Sequence, residues 1–132
     1  MKGINSSIFR AYDIRGKYPT EFNISAAKKV AEVLSLAVFD KKGPIVVAHD
    51  TRKSSVAIYN GIIKGLGDRK LIKIGPATTP MFYFFVIKQK AKGGIMVTAS
   101  HNPSNWNGLK IVGPKATPIS GLDVKKELEK NG

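Results

Sequence analysis

The segment "GGIMVTASHNPSNWNGLKIVG", residues 93–113, contains two short apolar runs separated by a polar loop. "KGGIMVT" and "NGLKIVG" each contain a short apolar run with branched aliphatic residues, and both are predicted to be strands. The two runs are joined by about nine loop residues with no helical pattern, so we expect neighbouring antiparallel strands. Asn107-Gly108 is a turn signal, and it predicts that the second strand begins there.

Upstream of this segment, strand-like runs alternate with helical stripes. "GPIVVAHD" (residues 43–50) and "KLIKIG" (residues 70–75) predict two further strands.

Helices are predicted over residues 25–39 with Asn23 or Ser25 as cap, from Ser54 or Ser55 to Gly65 or Gly67, over "MFYFFVIKQK", and after Ser120. The second helix should direct one apolar stripe inward: Val56, Tyr59, Ile62, Ile63 and Leu66. The alternation predicts a three-layer α/β/α sandwich with a mixed, mostly parallel four-stranded sheet.

Length and composition narrow the class of protein. A chain of 132 residues is the size of one domain, and we assign residues 1–132 to a single one. No apolar run approaches the roughly 20 residues of a membrane-spanning helix, so we expect no membrane partner. The start "MKGINSSIFR" has no apolar signal core, and the chain has no cysteine. We therefore expect a cytoplasmic protein.

The charge is strongly positive, with 22 Lys and Arg against 9 Asp and Glu, a net +13. This balance indicates an anionic partner, but the bases are scattered singly and in pairs, so nucleic acid is not expected. Between Asp68 and Asp123 there are eight Lys or Arg and no acidic residue. Any carboxylate that acts at the loop after "GGIMV" must come from a distant part of the sequence or from outside the chain.

Three polar loops follow the predicted parallel strands: "HDTRKSS", "PATTP" and "TASHNPSNWNG". In an open α/β sheet, the loops after the carboxyl ends of the strands form the binding crevice. All three are rich in hydroxyl, amide and basic groups, which suit a phosphate better than an apolar ligand.

Ser100 in "TASHNP" is the candidate nucleophile, and its neighbour His101 is the obvious base. Adjacent residues of an extended chain point to opposite sides, however, so His101 is poorly placed to activate Ser100. The only other histidine is His49, and no carboxylate lies near, which argues against a Ser-His-Asp hydrolase.

The spacing of the residues around Ser100 leaves two interpretations of its role. Ser100 and Asn102 could simply bond the turn backbone, with Asn102-Pro103 setting its shape. Alternatively, a phosphorylated Ser100 would bring about −1.5 to −2 charges into a base-rich loop. That phosphate would give a metal ion a ligand and the basic residues a partner.

Four motifs in order resemble the first domain of the α-D-phosphohexomutase family, which includes phosphoglucomutases, phosphomannomutases and phosphoglucosamine mutases. They are "FRAYDIRG" (Phe9–Gly16), "HDTRKSS" (His49–Ser55), "TTP" (Thr78–Pro80) and "TASHNPSNWNGLKI" (Thr98–Ile111). The resemblance covers nearly the whole chain. It implies a phosphoserine that donates its phosphoryl group to a hexose phosphate, forms a bisphosphorylated sugar and takes back the other phosphate.

The resemblance assigns roles to five residues. Ser100 matches the phosphoserine and, through its phosphate oxygens, one ligand of the family's Mg²⁺. Lys110 matches a lysine that assists proton transfer, and His101 a histidine that lines the site and contacts substrate. Arg15 and Tyr12 match groups that approach the reacting phosphate and the sugar.

Other matched positions are expected to be structural. Arg10, Asp50 and Arg52 should brace the loops through an Asp-Arg pair, and Trp106 should pack over the loop. His49 is given no role.

The resemblance covers only the first of the family's four domains. The acidic metal loop of the second, with its "D-G-D-x-D-R" pattern, is not in the sequence, nor are the sugar-selecting and phosphate-clamping loops of the others. It implies that Mg²⁺ also needs carboxylates from elsewhere, that a bisphosphorylated hexose acts as activator, and that the isolated chain is inactive. The alternative is a stand-alone basic module that binds phosphosugars or other polyanions without catalysis.

Overall fold

The fold is described from a computed structural model that covers residues 1–131 of the chain. Its strands are β1 (Ile14–Lys17), β2 (Ile45–His49), β3 (Leu71–Pro76), β4 (Gly93–Val97) and β5 (Trp106–Val112). Its helices are α1 (Ile24–Val33), α2 (Ser55–Leu66), α3 (Thr79–Lys88) and α4 (Gly121–Asn131). A π-helical segment, Leu34–Val38, continues α1, and short 3₁₀ turns occupy Ser6–Ile8 and Pro114–Ala116. Within residues 1–131, every helix is too short or too polar to span a membrane.

The five strands form one sheet in the order β1-β5-β4-β2-β3. β2 pairs in parallel with β3 and β4, whereas β5 is antiparallel to both β4 and β1. Four strands therefore run in one direction and β5 in the other, which confirms the mixed, mostly parallel sheet and the antiparallel last pair.

The predicted number of four strands is wrong, because β1 adds a fifth. Its sequence "IRGK" carries two charges and a glycine, so it gives no apolar run. Its conformation comes from pairing with β5, where Arg15 lies opposite Gly108. Asn107 and Gly108 lie inside β5, so the turn predicted at that dipeptide is wrong as well.

The helices lie on both faces of the sheet, which confirms the three-layer sandwich. α1, α2 and α4 share one apolar core with the sheet residues Ile45, Val47 and Ile95. α3 covers the opposite face, where Phe82 and Val86 pack with a second apolar group that includes Met96.

The helix ends follow local signals. The Asn23 side chain accepts a hydrogen bond from Ala26 N at 2.8 Å, which confirms it as the cap of α1. α2 ends at Leu66, with Gly67 as its C-cap at φ +66°. Ser120 Oγ accepts from Leu122 N at 3.1 Å at the start of α4. The prediction that Val56 faces the core is wrong, since this side chain lies on the exposed side of α2.

On the face of the sheet that α3 covers, the part formed by β5 and β1 carries residues expected in the site. α3 packs over β2 and β4, and the neighbouring strands β5 and β1 present other residues on that side. Lys110 lies opposite Met96, and Arg15 lies opposite Gly108, so Arg15 and Lys110 share this face of the sheet. Two basic residues therefore lie beside the carboxyl end of β4.

Candidate active site

The loop Thr98–Asn105, here called the serine loop, leaves the carboxyl end of β4 and returns as β5. Thr98 N donates to the Gly108 carbonyl at 2.9 Å, and Thr98 Oγ1 accepts from Ser100 N at 3.0 Å. Ser100 has φ +55°, in the left-handed region that non-glycine residues rarely occupy. The expectation of an extended backbone at Ser100 is therefore wrong, and the argument against His101 that rested on it does not apply. Strained backbone of this kind is concentrated at functional sites.

The turn alternative for Ser100 and Asn102 is not supported by their side chains. The main chain and Thr98 supply the bonds of the turn, including Asn102 N to the Ala99 carbonyl at 3.1 Å. Within residues 1–131 the Ser100 hydroxyl has no hydrogen-bond partner. The Asn102 side chain bonds Arg15 instead.

The guanidinium of Arg52 donates hydrogen bonds to backbone carbonyls of the serine loop. Its Nη2 donates to the carbonyls of Ser100 at 2.8 Å and Asn102 at 2.7 Å. Its Nη1 donates to the carbonyls of Pro103 at 2.6 Å and Trp106 at 3.2 Å. Hydrogen bonds from a charged donor are stronger than neutral ones, so one guanidinium fixes most of the loop backbone.

Arg52 is itself anchored below the loop. Asp50 Oδ2 lies 3.4 Å from Arg52 Nε, which confirms the predicted Asp-Arg brace. Asp50 Oδ1 accepts from Ser55 Oγ at 2.5 Å, and Asn107 Nδ2 donates to Ser55 Oγ at 3.0 Å. This buried network links the start of α2, β5 and the serine loop into one unit.

Arg15 reaches the serine loop from β1. Its Nε lies 3.1 and 3.0 Å from the two carboxylate oxygens of Asp13, and its Nη2 also bonds that carboxylate. Its Nη1 donates to Asn102 Oδ1 at 2.7 Å, two residues beyond Ser100. Arg15 thus connects a buried carboxylate to the loop that carries the candidate nucleophile.

The other expected site residues are placed less tightly. Lys110 is half-buried on β5, and His101 is exposed in the serine loop. Tyr12 is 83% exposed, so it is not a core aromatic. Within residues 1–131, His101 and Tyr12 form no side-chain hydrogen bond. The roles expected for all five site residues stay predictions.

Trp106 stands at the end of the serine loop, next to an arginine. Trp106 begins β5, and the Arg10 guanidinium lies 5.6 Å from the centre of its ring. His49, at the end of β2, is buried and its Nδ1 lies 2.7 Å from the Asp50 carbonyl.

A cavity of about 450 Å³ opens beside the serine loop, at the carboxyl ends of β2, β3 and β4. Its polar lining consists of four threonines and one acid: Thr51, Thr78, Thr79, Thr98 and Asp50. The three loops that were expected to form the crevice do meet at this edge of the sheet.

From the sequence, no role was predicted for Asp13, and Asn102 was predicted only to shape the turn. A usable signal for Asp13 existed, because residues i and i+2 of an extended segment lie on the same side. That rule places Asp13 next to Arg15. The contact of Asn102 with Arg15 joins positions 87 apart in sequence and left no local trace.

Comparison with known proteins gives a consistent result. Residues 6–131 match the family model "Phosphoglucomutase/phosphomannomutase, alpha/beta/alpha domain I". The chain is 44% identical over 114 residues to "Phosphohexose mutases" of Xanthomonas campestris pv. campestris, covering 85% of this chain and 25% of that protein. It is 39% identical over 129 residues to a "Phosphomannomutase" of Klebsiella pneumoniae, covering 93% of this chain and 81% of that protein.

A solved structure agrees with the sequence matches. The phosphoglucomutase/phosphomannomutase family protein of Burkholderia thailandensis superposes with a TM-score of 0.80 at 28% identity, over 97% of this chain and 30% of that one. The chain thus spans about a quarter of the Xanthomonas relative. From the sheet order, the serine loop and these matches together, this chain belongs to the phosphoglucomutase/phosphomannomutase family, as its α/β/α domain I.

Proposed function

We propose that this chain is the phosphoserine domain of a phosphohexomutase, which interconverts hexose 1-phosphate and hexose 6-phosphate. The observation that carries the proposal is Ser100 itself. It is held in a left-handed turn by Arg52, its hydroxyl has no partner within residues 1–131, and Arg15 bonds the same loop. The matched relatives named phosphohexose mutases and phosphomannomutase support the substrate class.

The proposed reaction has two matching halves. A hydroxyl oxygen of the hexose monophosphate attacks the phosphorus of phosphorylated Ser100, and the bond from phosphorus to Ser100 Oγ breaks. The hydroxyl proton passes to the uncharged amine of Lys110 and from there to the departing Ser100 Oγ, and the product is a hexose bisphosphate. This bisphosphate turns in the site, Ser100 Oγ attacks its other phosphorus, and the proton of the Ser100 hydroxyl passes through Lys110 to the sugar oxygen that leaves.

Electrostatics dominate such a transfer, because negative charge spreads over the oxygens of the moving group. Arg15 supplies N–H donors beside the serine loop, and Lys110 becomes positively charged when it takes up the hydroxyl proton. We assign His101 and Tyr12 to contacts with the sugar, in keeping with their exposure at the rim.

The family also implies Mg²⁺, whose chemistry would be to neutralise phosphate oxygens during the transfer. The residues present do not fit a complete site. Within residues 1–131 no three His, Asp or Glu side chains are grouped as metal ligands, and the nearby Asp13 and Asp50 are paired with arginines. We propose that phosphorylated Ser100 provides one ligand and that carboxylates from outside this chain provide the rest.

The same reasoning extends to partners. We propose that other domains of a phosphohexomutase complete the site, that a hexose bisphosphate primes Ser100, and that the enzyme works in the cytoplasm. The isolated chain should then show negligible mutase turnover on glucose 1-phosphate with Mg²⁺. Turnover comparable to that of a complete mutase would contradict this part.

The test of the proposal is phosphoryl transfer to Ser100. The chain is combined with the remaining domains of a phosphohexomutase, glucose 1,6-bisphosphate and Mg²⁺, and intact mass and peptide mapping of the chain locate any added phosphoryl group. We expect one group on Ser100, none after Ser100→Ala, and an unchanged result after Ser104→Ala, which alters an exposed serine of the same loop. A label on Ser104, or equal labelling of the Ser100→Ala chain, would reject Ser100 as the carrier.

The net charge of +13 favours a second candidate, a basic module that binds phosphosugars without catalysis. The same experiment separates the two. The binding module is favoured if the chain binds glucose 1-phosphate but receives no phosphoryl group from the bisphosphate when the other domains of a mutase are present.

A further inference from the structure

Asp13 is the only acidic residue that is buried within residues 1–131, with 5% of its surface exposed. Burying a carboxylate costs free energy unless the charge is paired and hydrogen-bonded. Asp13 lies in the bend before β1, and its partner is Arg15. The pair is therefore a fixed feature of the interior and not a mobile ion pair of the surface.

The geometry of this pair restricts the guanidinium. Asp13 bonds both Nε and Nη2 of Arg15, so it grips one whole edge of the planar group. A two-point contact of this type sets the plane of the guanidinium as well as its position. Asn102 Oδ1 accepts from Nη1 at 2.7 Å and holds the remaining nitrogen against the serine loop.

Counting donors shows what is left for a ligand. A guanidinium has five N–H groups. Asp13 takes the Nε hydrogen and one on Nη2, and Asn102 takes one on Nη1. One N–H on each terminal nitrogen has no acceptor within residues 1–131, and the Arg15 side chain is 25% exposed. Two donors of a fixed arginine thus remain available beside the loop of Ser100.

We infer that Asp13 is a positioning residue that holds Arg15 in one orientation, so that its two remaining N–H groups face the oxygens of a phosphate monoester. The ligand class rests on the proposed function. The ordering of Arg15 by Asp13 does not, and it can be tested separately. Asp13 itself does not contact the ligand; it acts through Arg15.

The first experiment measures the order of Arg15 without any ligand. The Nε–H signals of the four arginines are recorded by ¹⁵N NMR of the full chain, and Arg15→Lys identifies the Arg15 signal. We expect this proton to exchange slowly in the parent and at least about tenfold faster in Asp13→Asn, because a neutral amide holds the guanidinium less well. Asp68→Asn removes the same charge from an exposed site and should leave the signal unchanged.

The second experiment measures, by titration, the affinity for glucose 1-phosphate of the chain combined with the other domains of a phosphohexomutase. Asp13→Asn should weaken binding about tenfold. In an Arg15→Ala background, Asp13→Asn should have no further effect, because its influence passes through Arg15. If Asp13 were merely structural, the loss of affinity would be the same in both backgrounds, or the unfolding midpoint would fall with the affinity unchanged.

A second variant covers the case in which Asp13→Asn does not fold. Asp13→Glu keeps the charge and the pair but displaces the guanidinium by one methylene. It should lower the affinity while the Nε proton stays protected. Unchanged exchange in Asp13→Asn, or unchanged affinity in Asp13→Glu, overturns the inference. Failure of the parent chain to bind glucose 1-phosphate in the presence of the other domains would instead contradict the ligand class of the proposed function, and the exchange experiment would still decide the role of Asp13.

Discussion

The guanidinium of Arg52 lies 2.8 Å from the carbonyl oxygen of Ser100, and it holds three further carbonyls of the same loop region. Arg52→Ala should therefore lower the free energy of unfolding by about 2 kcal/mol, since charged hydrogen bonds are lost and Asp50 is left unpaired. The amide protons of Asn102 and Trp106, which close turns within the loop region, should exchange faster. Urea unfolding and hydrogen exchange measure the two effects.

Lys53→Ala is the matched control for Arg52, because it removes one positive charge from the neighbouring exposed position. It should change neither quantity. Equal effects of the two substitutions would mean that net charge, and not the carbonyl contacts, accounts for the result.

Gly108 allows β1 to approach β5 closely beneath Arg15. A Cβ at this position would lie 2.1 Å from the Ile14 carbonyl oxygen and 2.8 Å from Arg15 Cα. Gly108→Ala must separate the two strands, and we expect it to cost about 3 kcal/mol in thermal or urea unfolding. Gly113→Ala, whose new Cβ would meet only atoms at 3.8 and 3.9 Å, should be nearly neutral. A neutral Gly108→Ala would refute the close approach.

The turn after β5 contains two consecutive residues with positive φ, Lys115 at +61° and Ala116 at +60°. Left-handed backbone costs a residue with a Cβ about 1–2 kcal/mol, and turns of this shape favour Asn-Gly. Ala116→Gly should therefore stabilise the fold by about 1 kcal/mol.

The converse substitution is Gly67→Ala, at φ +66° in open space, and it should destabilise by about the same amount. A loss of stability in Ala116→Gly, measured by urea unfolding, would show that the turn is not strained.

The ionisation of Tyr59 should make the free energy of unfolding depend on pH under alkaline conditions. Burial raises the pKa of its phenol, and a hydrogen bond with the Gly75 backbone opposes this rise. Above about pH 10 the unfolded chain loses this proton before the folded chain does, so the free energy of unfolding falls as pH rises. Tyr59→Phe should reduce that fall above about pH 10.

The informative quantity is the difference between parent and variant in how the free energy of unfolding changes with pH. Tyr12→Phe removes an exposed phenol and should leave the pH dependence unaltered. Identical slopes for the parent and Tyr59→Phe would show that Tyr59 does not contribute.

The parts of the fold that are encoded locally could be predicted. The runs around Ile45, Leu71, Ile95 and Leu109 became strands because branched aliphatic residues in short stretches have few other stable arrangements. Asn23 and Ser120 capped helices because their oxygens accept main-chain N–H groups within the same turn.

The errors share a physical cause, which is dependence on a distant segment. Ile14–Lys17 is a strand only because β5 lies beside it. Asn107-Gly108 is a turn signal that was overridden because Gly108 is needed for close strand packing. The left-handed backbone of Ser100 is stabilised by Arg52, 48 residues away, so the serine loop could be located from sequence but its shape could not.

The position of β1 in the sheet affects how the site is assembled. Within the sheet β1 pairs only with β5, so the first strand to be synthesised waits for the last one before it can form its hydrogen bonds. Contacts between such distant segments form late, after the cost in chain entropy of closing a long loop. In a growing chain, Arg15 and Ser100 would therefore come together only after nearly all of residues 1–112 have been made. The two N–H groups of Arg15 that have no acceptor within residues 1–131 would reach the serine loop only with the finished sheet.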